Sequence, residues 1–230
     1  MRRVALFIVG GLGLMGLGGL AGWRFHRPAA DARAYAEMRR IAVQVSLDEA
    51  PPDYMFYAGD SQVELQPGGQ RPCGHDFVNG GISGATAASY AEYLARTTFT
   101  VLPSVAALTI GTNDILTKNN PQSPQQGQHF EAAAEAIITR LKAVSPRVVV
   151  TALPPVGREI SKLVDAAAVA VYSQRLQTLC GRLGCVYADP FAALRDGDSG
   201  YAKPGSLRDG LHLAAFRPAL QALEPVLCRP

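Results

Sequence analysis

A serine at the end of a short apolar run is the first residue here with an evident capacity for chemistry. Residues Met55 to Ala58 are apolar, and Gly59-Asp60-Ser61 follows them directly. In a parallel α/β sheet the carboxyl ends of strands display reactive side chains, and a helix N-terminus favours negative charge. The position suits a nucleophile, although Gly-Asp-Ser is also ordinary turn chemistry.

A pair of residues near the end of the chain could activate this serine. Asp209 and His212 lie three residues apart, so that one turn can present both side chains. An imidazole removes a hydroxyl proton near neutral pH, and a carboxylate on its other nitrogen fixes the required tautomer. His75 is an alternative base, but it lies in the loop after the serine without such a turn.

Two further positions could stabilise negative charge on a substrate oxygen. Gly84 precedes a helical pattern, and Asn113 follows a second apolar run. The N–H of Ser61, the N–H of Gly84 and the side-chain amide of Asn113 would supply three donors, each worth roughly 3–4 kcal/mol. A simple strand-to-helix turn at Gly84 and a helix cap at Asn113 are the alternatives.

The elements that would position these residues alternate along the chain. Short apolar runs predict strands at residues 55–58, 77–78, 105–110, 147–153 and 185–188. Apolar periodicity predicts helices at residues 85–95, 130–144, 165–183 and 214–227, with loops at 117–128 and 192–206. This alternation predicts an α/β domain with a parallel sheet that is covered on both faces.

Four blocks of sequence carry a resemblance to a known family. In order, they are Gly59-Asp60-Ser61, Asn79-x-x-x-x-Gly84, Gly111-x-Asn113-Asp114 and Asp209-x-x-His212. Together they resemble the signature blocks of the SGNH (GDSL-type) hydrolases, over about residues 53–227. The resemblance implies a three-layer α/β/α fold with a flavodoxin-like five-stranded parallel sheet, and ester hydrolysis without metal or other cofactor.

The resemblance also implies a role for each site residue. Ser61 would be the nucleophile, Asp209 the orienting acid and His212 the base, with Gly84 and Asn113 completing an oxyanion hole that begins at the Ser61 N–H. Two positions depart from the family's pattern. Gln62 stands where a leucine is common, and Leu213 stands where a proline is often seen.

The first 27 residues are predicted to form a membrane-directed segment. Residues 4–23 contain no charged side chain, and twenty helical residues span roughly 30 Å, the thickness of the hydrocarbon core. An uncleaved transmembrane anchor is favoured over a cleaved signal peptide, because residues 23–27 suit cleavage poorly. A buried helix is the third alternative. The first two alternatives place the rest of the chain outside the cytoplasm, in the periplasm or cell envelope.

The remainder divides into two parts. Residues 28–52 are predicted as a helical linker whose apolar stripe, which includes Met38, Ile41 and Val45, packs onto the domain. Residues 53–230 are predicted as the hydrolase domain.

Charge and composition exclude some function classes. Four of the 22 basic residues and none of the 19 acidic ones lie in residues 1–30, which leaves a net charge of −1 for the rest. Nucleic acid is therefore not an expected partner. No group of His, Cys, Asp and Glu has metal-ligand spacing, so neither a metal nor another cofactor is predicted.

The four cysteines fit an oxidising compartment. Cys180 and Cys185 bracket a tight helix-to-strand connection and are predicted to pair, which leaves Cys73 with Cys228. Four free buried thiols are the alternative.

Three functions are compatible with this sequence. The first is a serine esterase or deacylase that acts on a short-chain acyl ester of a small molecule, carbohydrate or lipid. The second is a carbohydrate O-acyltransferase with the same machinery, and the third is a catalytically idle binding domain of the same fold.

Overall fold

Five parallel strands form the centre of the computed structural model, which describes residues 32–228. They are β1 (Met55–Gly59), β2 (Phe77–Gly81), β3 (Val105–Thr109), β4 (Val148–Thr151) and β5 (Val186–Ala188). Their order is β2-β1-β3-β4-β5, and every neighbouring pair is parallel. This is the flavodoxin-like order of a doubly wound sheet, so the predicted five-stranded parallel sheet is confirmed.

Helices alternate with the strands, and one further helix precedes β1 and another follows β5. They are α1 (Ala32–Asp48), α2 (Ser61–Glu64), α3 (Ala87–Ala95), α4 (Pro124–Val144), α5 (Ala166–Leu183) and α6 (Arg217–Leu227). Single 3₁₀ turns occur at Pro72–Gly74, Thr117–Asn119, Arg158–Ile160 and Ala192–Leu194.

Strand β1 is buried along its whole length because helices cover both faces of the sheet. Phe56 and Ala58 face the larger core with α3, α4 and α5, while Met55 and Tyr57 face a smaller core with α6. Successive side chains of a strand point to opposite faces, which explains this division. The strand therefore ends at Gly59 in a fixed position, and Ser61 follows at the edge.

Strand β2 is longer than predicted, because Gly80 and Gly81 remain in the sheet opposite Ala58 and Gly59. A Cβ at Gly80 would lie 2.4 Å from the Phe56 ring, and one at Gly81 would lie 2.2 Å from Glu64 N. These glycines permit close packing within a strand, whereas the sequence predicted a turn.

Helix α4 begins at Pro124 and not at residue 130. Ser123 caps it by accepting a hydrogen bond from Gln126 N at 3.2 Å, and Pro124 occupies the first helical position. The predicted loop over residues 117–128 is correspondingly shorter. Helix α6 begins at Arg217 and not at residue 214. Before it, Leu213 forms a β-bridge with Leu207, and Ala214 N donates to Ser206 O.

Helix α1 lies in the segment predicted as a linker, but the packed face differs from the predicted one. Met38 is 70% exposed, and Ile41 and Val45 are also exposed, while Val43 and Leu47 pack in the larger core. Arg39 lies near this packed face and donates to carbonyl groups of β2, which favours this orientation. The predicted packing stripe is therefore wrong.

The predicted membrane segment lies outside the described residues. Within residues 32–228, no helix is both long and apolar enough to cross a membrane. The division at residues 27 and 52 stays a prediction.

Substitution of Gly59 tests the close packing at the end of β1. Its φ is +155°, and a Cβ there would lie 2.1 Å from Thr109 O. We expect Gly59→Ala to lower the free energy of unfolding by about 3 kcal/mol, measured by urea denaturation. Gly68→Ala is the control, since a Cβ there meets nothing within 4 Å, and it should leave stability nearly unchanged.

Candidate active site

Ser61 lies at the carboxyl edge of the sheet, as the first residue of α2. Asp60 caps this helix and fixes the turn, because its carboxylate accepts from Gln62 N at 2.9 Å and from Thr112 N at 3.2 Å. The second of these bonds ties the turn after β1 to the turn after β3. Ser61 is only 5% exposed, so its hydroxyl is held in a defined environment.

The structure brings the hydroxyl, the imidazole and the carboxylate together. Ser61 Oγ lies 2.8 Å from His212 Nε2, and His212 Nδ1 lies 2.7 Å from Asp209 Oδ2. The other carboxylate oxygen of Asp209 accepts from the backbone N–H groups of His212 at 2.8 Å and Leu211 at 3.0 Å. Asp209 therefore holds both the ring and the backbone of the turn.

Asp209 keeps its negative charge in this turn. Partial burial on its own would raise its pKa, but the hydrogen bonds from the His212 backbone, the His212 ring and Leu211 outweigh that effect. They lower the pKa of Asp209 to about 2. An ionised carboxylate on Nδ1 favours the tautomer whose free Nε2 can accept the Ser61 proton.

The predicted oxyanion donors lie at the same edge. Gly84 has a φ of +78°, and Asn113 Nδ2 donates one hydrogen bond to Ala85 O at 2.9 Å, which leaves its second N–H. Within residues 32–228, the N–H groups of Ser61 and Gly84 have no acceptor in the protein. These three groups are the donors that a substrate oxygen could use.

The loop that contains Gly84 is held by Glu64 and Arg39, two residues that the sequence did not indicate. Glu64 accepts from Ser83 N at 2.5 Å, and Arg39 Nε lies 3.6 Å from Glu64. Arg39 also donates to Gly81 O at 2.9 Å and to Asn79 O at 2.8 Å. No local signal identifies Arg39, since it belongs to a helix that precedes the recognised blocks.

The remaining candidates lie elsewhere. His75 lines a cavity with Met55 and Val105, the first residues of β1 and β3, so it lies at the opposite edge from Ser61. The structure pairs Cys73 with Cys228 and Cys180 with Cys185. In the part of the chain that the structure describes, no three His, Cys, Asp or Glu residues are grouped to hold a metal ion.

Two buried carboxyl groups lie behind the site. Burial raises the pKa of Asp60 to about 6 and that of Asp114 to about 7, although hydrogen bonds oppose the shift. Asp114 accepts from Ala87 N at 2.9 Å and so holds the first turn of α3. The negative charge of Asp60 further raises the pKa of Asp114.

Asp114 should make stability depend on pH. A carboxyl whose folded pKa is raised stabilises the fold fully below its ordinary pKa of 3.8, and this contribution is lost as the pH rises through about 7. We expect Asp114→Asn, which stays neutral, to remove a decline of up to about 4 kcal/mol between pH 4 and 8. Urea denaturation across this range measures it. Asp198→Asn, at an exposed position, is the control and should parallel the wild type.

Solved structures of low sequence identity share this fold. A Streptococcus pneumonia protein described as a platelet activating factor is 24% identical, with a TM-score of 0.71 over 93% of this chain and 99% of that one. A GDSL-like lipase from Bacteroides thetaiotaomicron is 16% identical, with a TM-score of 0.62 over 86% and 97%. A catalytic mutant of an acetylxylan esterase from Geobacillus stearothermophilus is 14% identical, with a TM-score of 0.57 over 77% and 94%.

Sequence comparison identifies the family. No curated protein sequence matches the chain. The GDSL-like lipase/acylhydrolase family matches residues 56–215, which is more than half of the 230 residues. The matched region contains all four sequence blocks and the hydrogen-bonded serine, histidine and aspartate. The chain therefore belongs to the GDSL-like lipase/acylhydrolase family and is a hydrolase of ester bonds.

Proposed function

We propose that this protein is a serine esterase that hydrolyses short-chain acyl esters through an acyl-enzyme on Ser61. The observation that carries the proposal is the continuous hydrogen-bonded series from Ser61 Oγ through the His212 ring to the Asp209 carboxylate. This geometry matches the one that nucleophilic catalysis by a hydroxyl requires.

In the first half of the reaction, Ser61 Oγ attacks the carbonyl carbon of the ester. His212 Nε2 takes the hydroxyl proton, and Asp209 stabilises the resulting imidazolium. The N–H groups of Ser61, Gly84 and Asn113 would bind the oxyanion of the tetrahedral intermediate. His212 then gives its proton to the leaving alcohol, and the acyl group remains on Ser61.

In the second half, a water molecule takes the place of the alcohol. His212 Nε2 accepts a proton from this water as its oxygen attacks the acyl carbon. Collapse of the second tetrahedral intermediate returns the proton to Ser61 Oγ and releases the carboxylic acid. The protein is then in its starting state, so every proton and bond is accounted for.

The substrate that we propose carries a short acyl group, with an O-acetylated carbohydrate as the first candidate. The sequence contains no long apolar insertion near the blocks that could form a deep acyl channel, and the loop from Thr117 to Ser123 is polar. An acetylxylan esterase among the proteins of the same fold makes acetyl groups a reasonable first choice. Small-molecule and lipid esters belong in the same substrate panel.

We also propose that the domain works outside the cytoplasm, in the periplasm or cell envelope. Two arguments support this location: the uncharged sequence of residues 4–23, and two cysteine pairs placed to form disulfides. Residues 1–27 would attach the protein to the membrane, and residues 53–230 would form the hydrolase domain.

Ser61→Ala tests the nucleophile. We expect kcat for p-nitrophenyl acetate to fall at least about 10⁴-fold, because the variant lacks the hydroxyl that His212 is placed to activate. Mass spectrometry of wild type quenched during turnover should show one acetyl group on Ser61. Ser104→Ala is the control, since that hydroxyl bonds to backbone carbonyls near the amino end of β3.

Other results of these activity assays would lead to different conclusions. Equal activity in wild type and Ser61→Ala would show that the nucleophile is wrong. Acyl-Ser61 that passes its acyl group to a sugar hydroxyl faster than to water would identify an acyltransferase. A folded wild type that acylates with no ester in the panel would favour the idle binding domain.

Asp209→Asn tests the orienting carboxylate. The amide can still accept from the backbone of the turn, but it cannot stabilise the imidazolium, so we expect kcat to fall about 10³-fold with little change in KM. Asp196→Asn is the control, because that carboxylate pairs with Arg158 at an exposed position. A decrease of less than tenfold in Asp209→Asn would contradict the role given to Asp209.

A further inference from the structure

Gln62 follows the nucleophile and is one of the two positions that depart from the family's pattern. Its side chain is buried, with the residue only 2% exposed, and its Nε2 donates to Leu211 O at 2.7 Å. Leu211 immediately precedes His212. The helix that carries Ser61 therefore holds the backbone of the turn that carries the base, across 149 residues of sequence.

Other hydrogen bonds of this turn lead to different places. Arg208 N donates to His212 O at 3.0 Å within the turn, and Gly157 N donates to Gly210 O at 2.7 Å from the loop after β4. Among the hydrogen bonds of residues 32–228, the Gln62 amide alone links the turn's backbone to α2. It therefore ties the backbone beside His212 to the helix that carries Ser61.

The oxygen end of the Gln62 amide lacks a hydrogen-bond donor among the described residues. Gln62 Oε1 and Gln66 Oε1 are both buried, and neither has a hydrogen-bond partner within residues 32–228. Both residues line a small, partly enclosed cavity, together with Leu213 and Phe216. Its volume is about 10 Å³, which is the size of one water-sized sphere.

A single water molecule fits this cavity chemically. Water has two O–H donors, and the two glutamine oxygens are acceptors that otherwise remain buried and unpaired. An unpaired buried amide oxygen is costly, whereas a leucine at position 62 would need no partner at all. Both departures from the family's pattern, Gln62 and Leu213, line this one cavity.

We propose that Gln62 is a positioning residue for His212, and that one buried water molecule donates hydrogen bonds to Gln62 Oε1 and Gln66 Oε1. The water fixes the amide plane, and the fixed amide holds Leu211 O and with it the imidazole. This role rests on the proposed function, because it concerns the base that activates Ser61.

Gln62→Met and Gln62→Leu test the positioning role in the full-length protein. Both side chains are apolar and need no partner, but neither can hold Leu211 O. We expect kcat for p-nitrophenyl acetate to fall about tenfold in both variants with KM changed less than twofold, because His212 is less well placed while the cleft is intact. Gln70→Met is the control, since its side chain is half-buried and bonds only to Pro67 O within its own loop.

A spectroscopic measurement separates positioning from general destabilisation. In wild type, the proton of His212 Nδ1 should give a sharp downfield NMR signal, because the ring is bonded to Asp209 at 2.7 Å. The signal should broaden in Gln62→Met at a temperature where the variant is fully folded. Wild-type kcat together with a sharp signal in both variants would overturn the positioning role.

A high-resolution crystal structure of the wild type tests the water without reference to activity. Density for one water within hydrogen-bond distance of both glutamine oxygens is the expected result. A dry cavity would overturn the proposal of a buried water molecule. Failure of the proposed function looks different: Ser61→Ala would match wild type while the water and the NMR signal remained. If the Gln62 variants do not fold, the wild-type structure still decides, because a Gln62 side chain turned away from Leu211 O would refute the positioning role.

Discussion

The hydrogen bond between Ser61 Oγ and His212 Nε2 joins residues that are 151 positions apart in the chain. Neither residue is rigid by itself, because Ser61 begins a helix of four residues and His212 lies in an irregular turn. The parallel sheet brings their elements to one edge, and side-chain bonds from Asp60, Asp209 and Gln62 then set the separation. The chemistry therefore depends on contacts between loops that only the sheet places within reach.

Glycine packing and the placement of the proposed oxyanion donors are coupled at this edge. Because Gly81 has no side chain, α2 lies directly against β2, with Glu64 N only 2.2 Å from where a Cβ would be. This approach allows the Glu64 carboxylate to reach Ser83 N, and Arg39 binds the same strand from α1. A side chain at position 81 would displace the nucleophile helix and the donor loop together.

The sequence predicts what is decided by nearby residues. The grouping of Ser61, Asp209 and His212 could be predicted because hydroxyl, carboxylate and imidazole chemistry is distinctive and the Asp–His pair lies within one turn. Strand β2 was predicted too short because glycine suggests a turn locally, whereas the Phe56 ring decides its place in the sheet. The packed face of α1 was also predicted wrongly, because its orientation depends on Arg39 bonds to a distant strand. Arg39 itself gave no local signal, since its partners lie 40 residues away.

Gln62, beside the proposed nucleophile, is connected through its neighbours to the turn that carries His212. A leucine at this position would be stabilised by burial alone and could not bond to Leu211 O. The turn that carries His212 would then be held by its other hydrogen bonds. A glutamine must find partners for both ends of its amide. One end bonds to Leu211 O, and the other is buried without a partner within residues 32–228, in a residue that lines a cavity together with Leu213. The Gln62 side chain therefore bonds to the backbone just before His212 and lines a cavity with the residue just after it, so the turn on both sides of the imidazole is arranged around one side chain of α2.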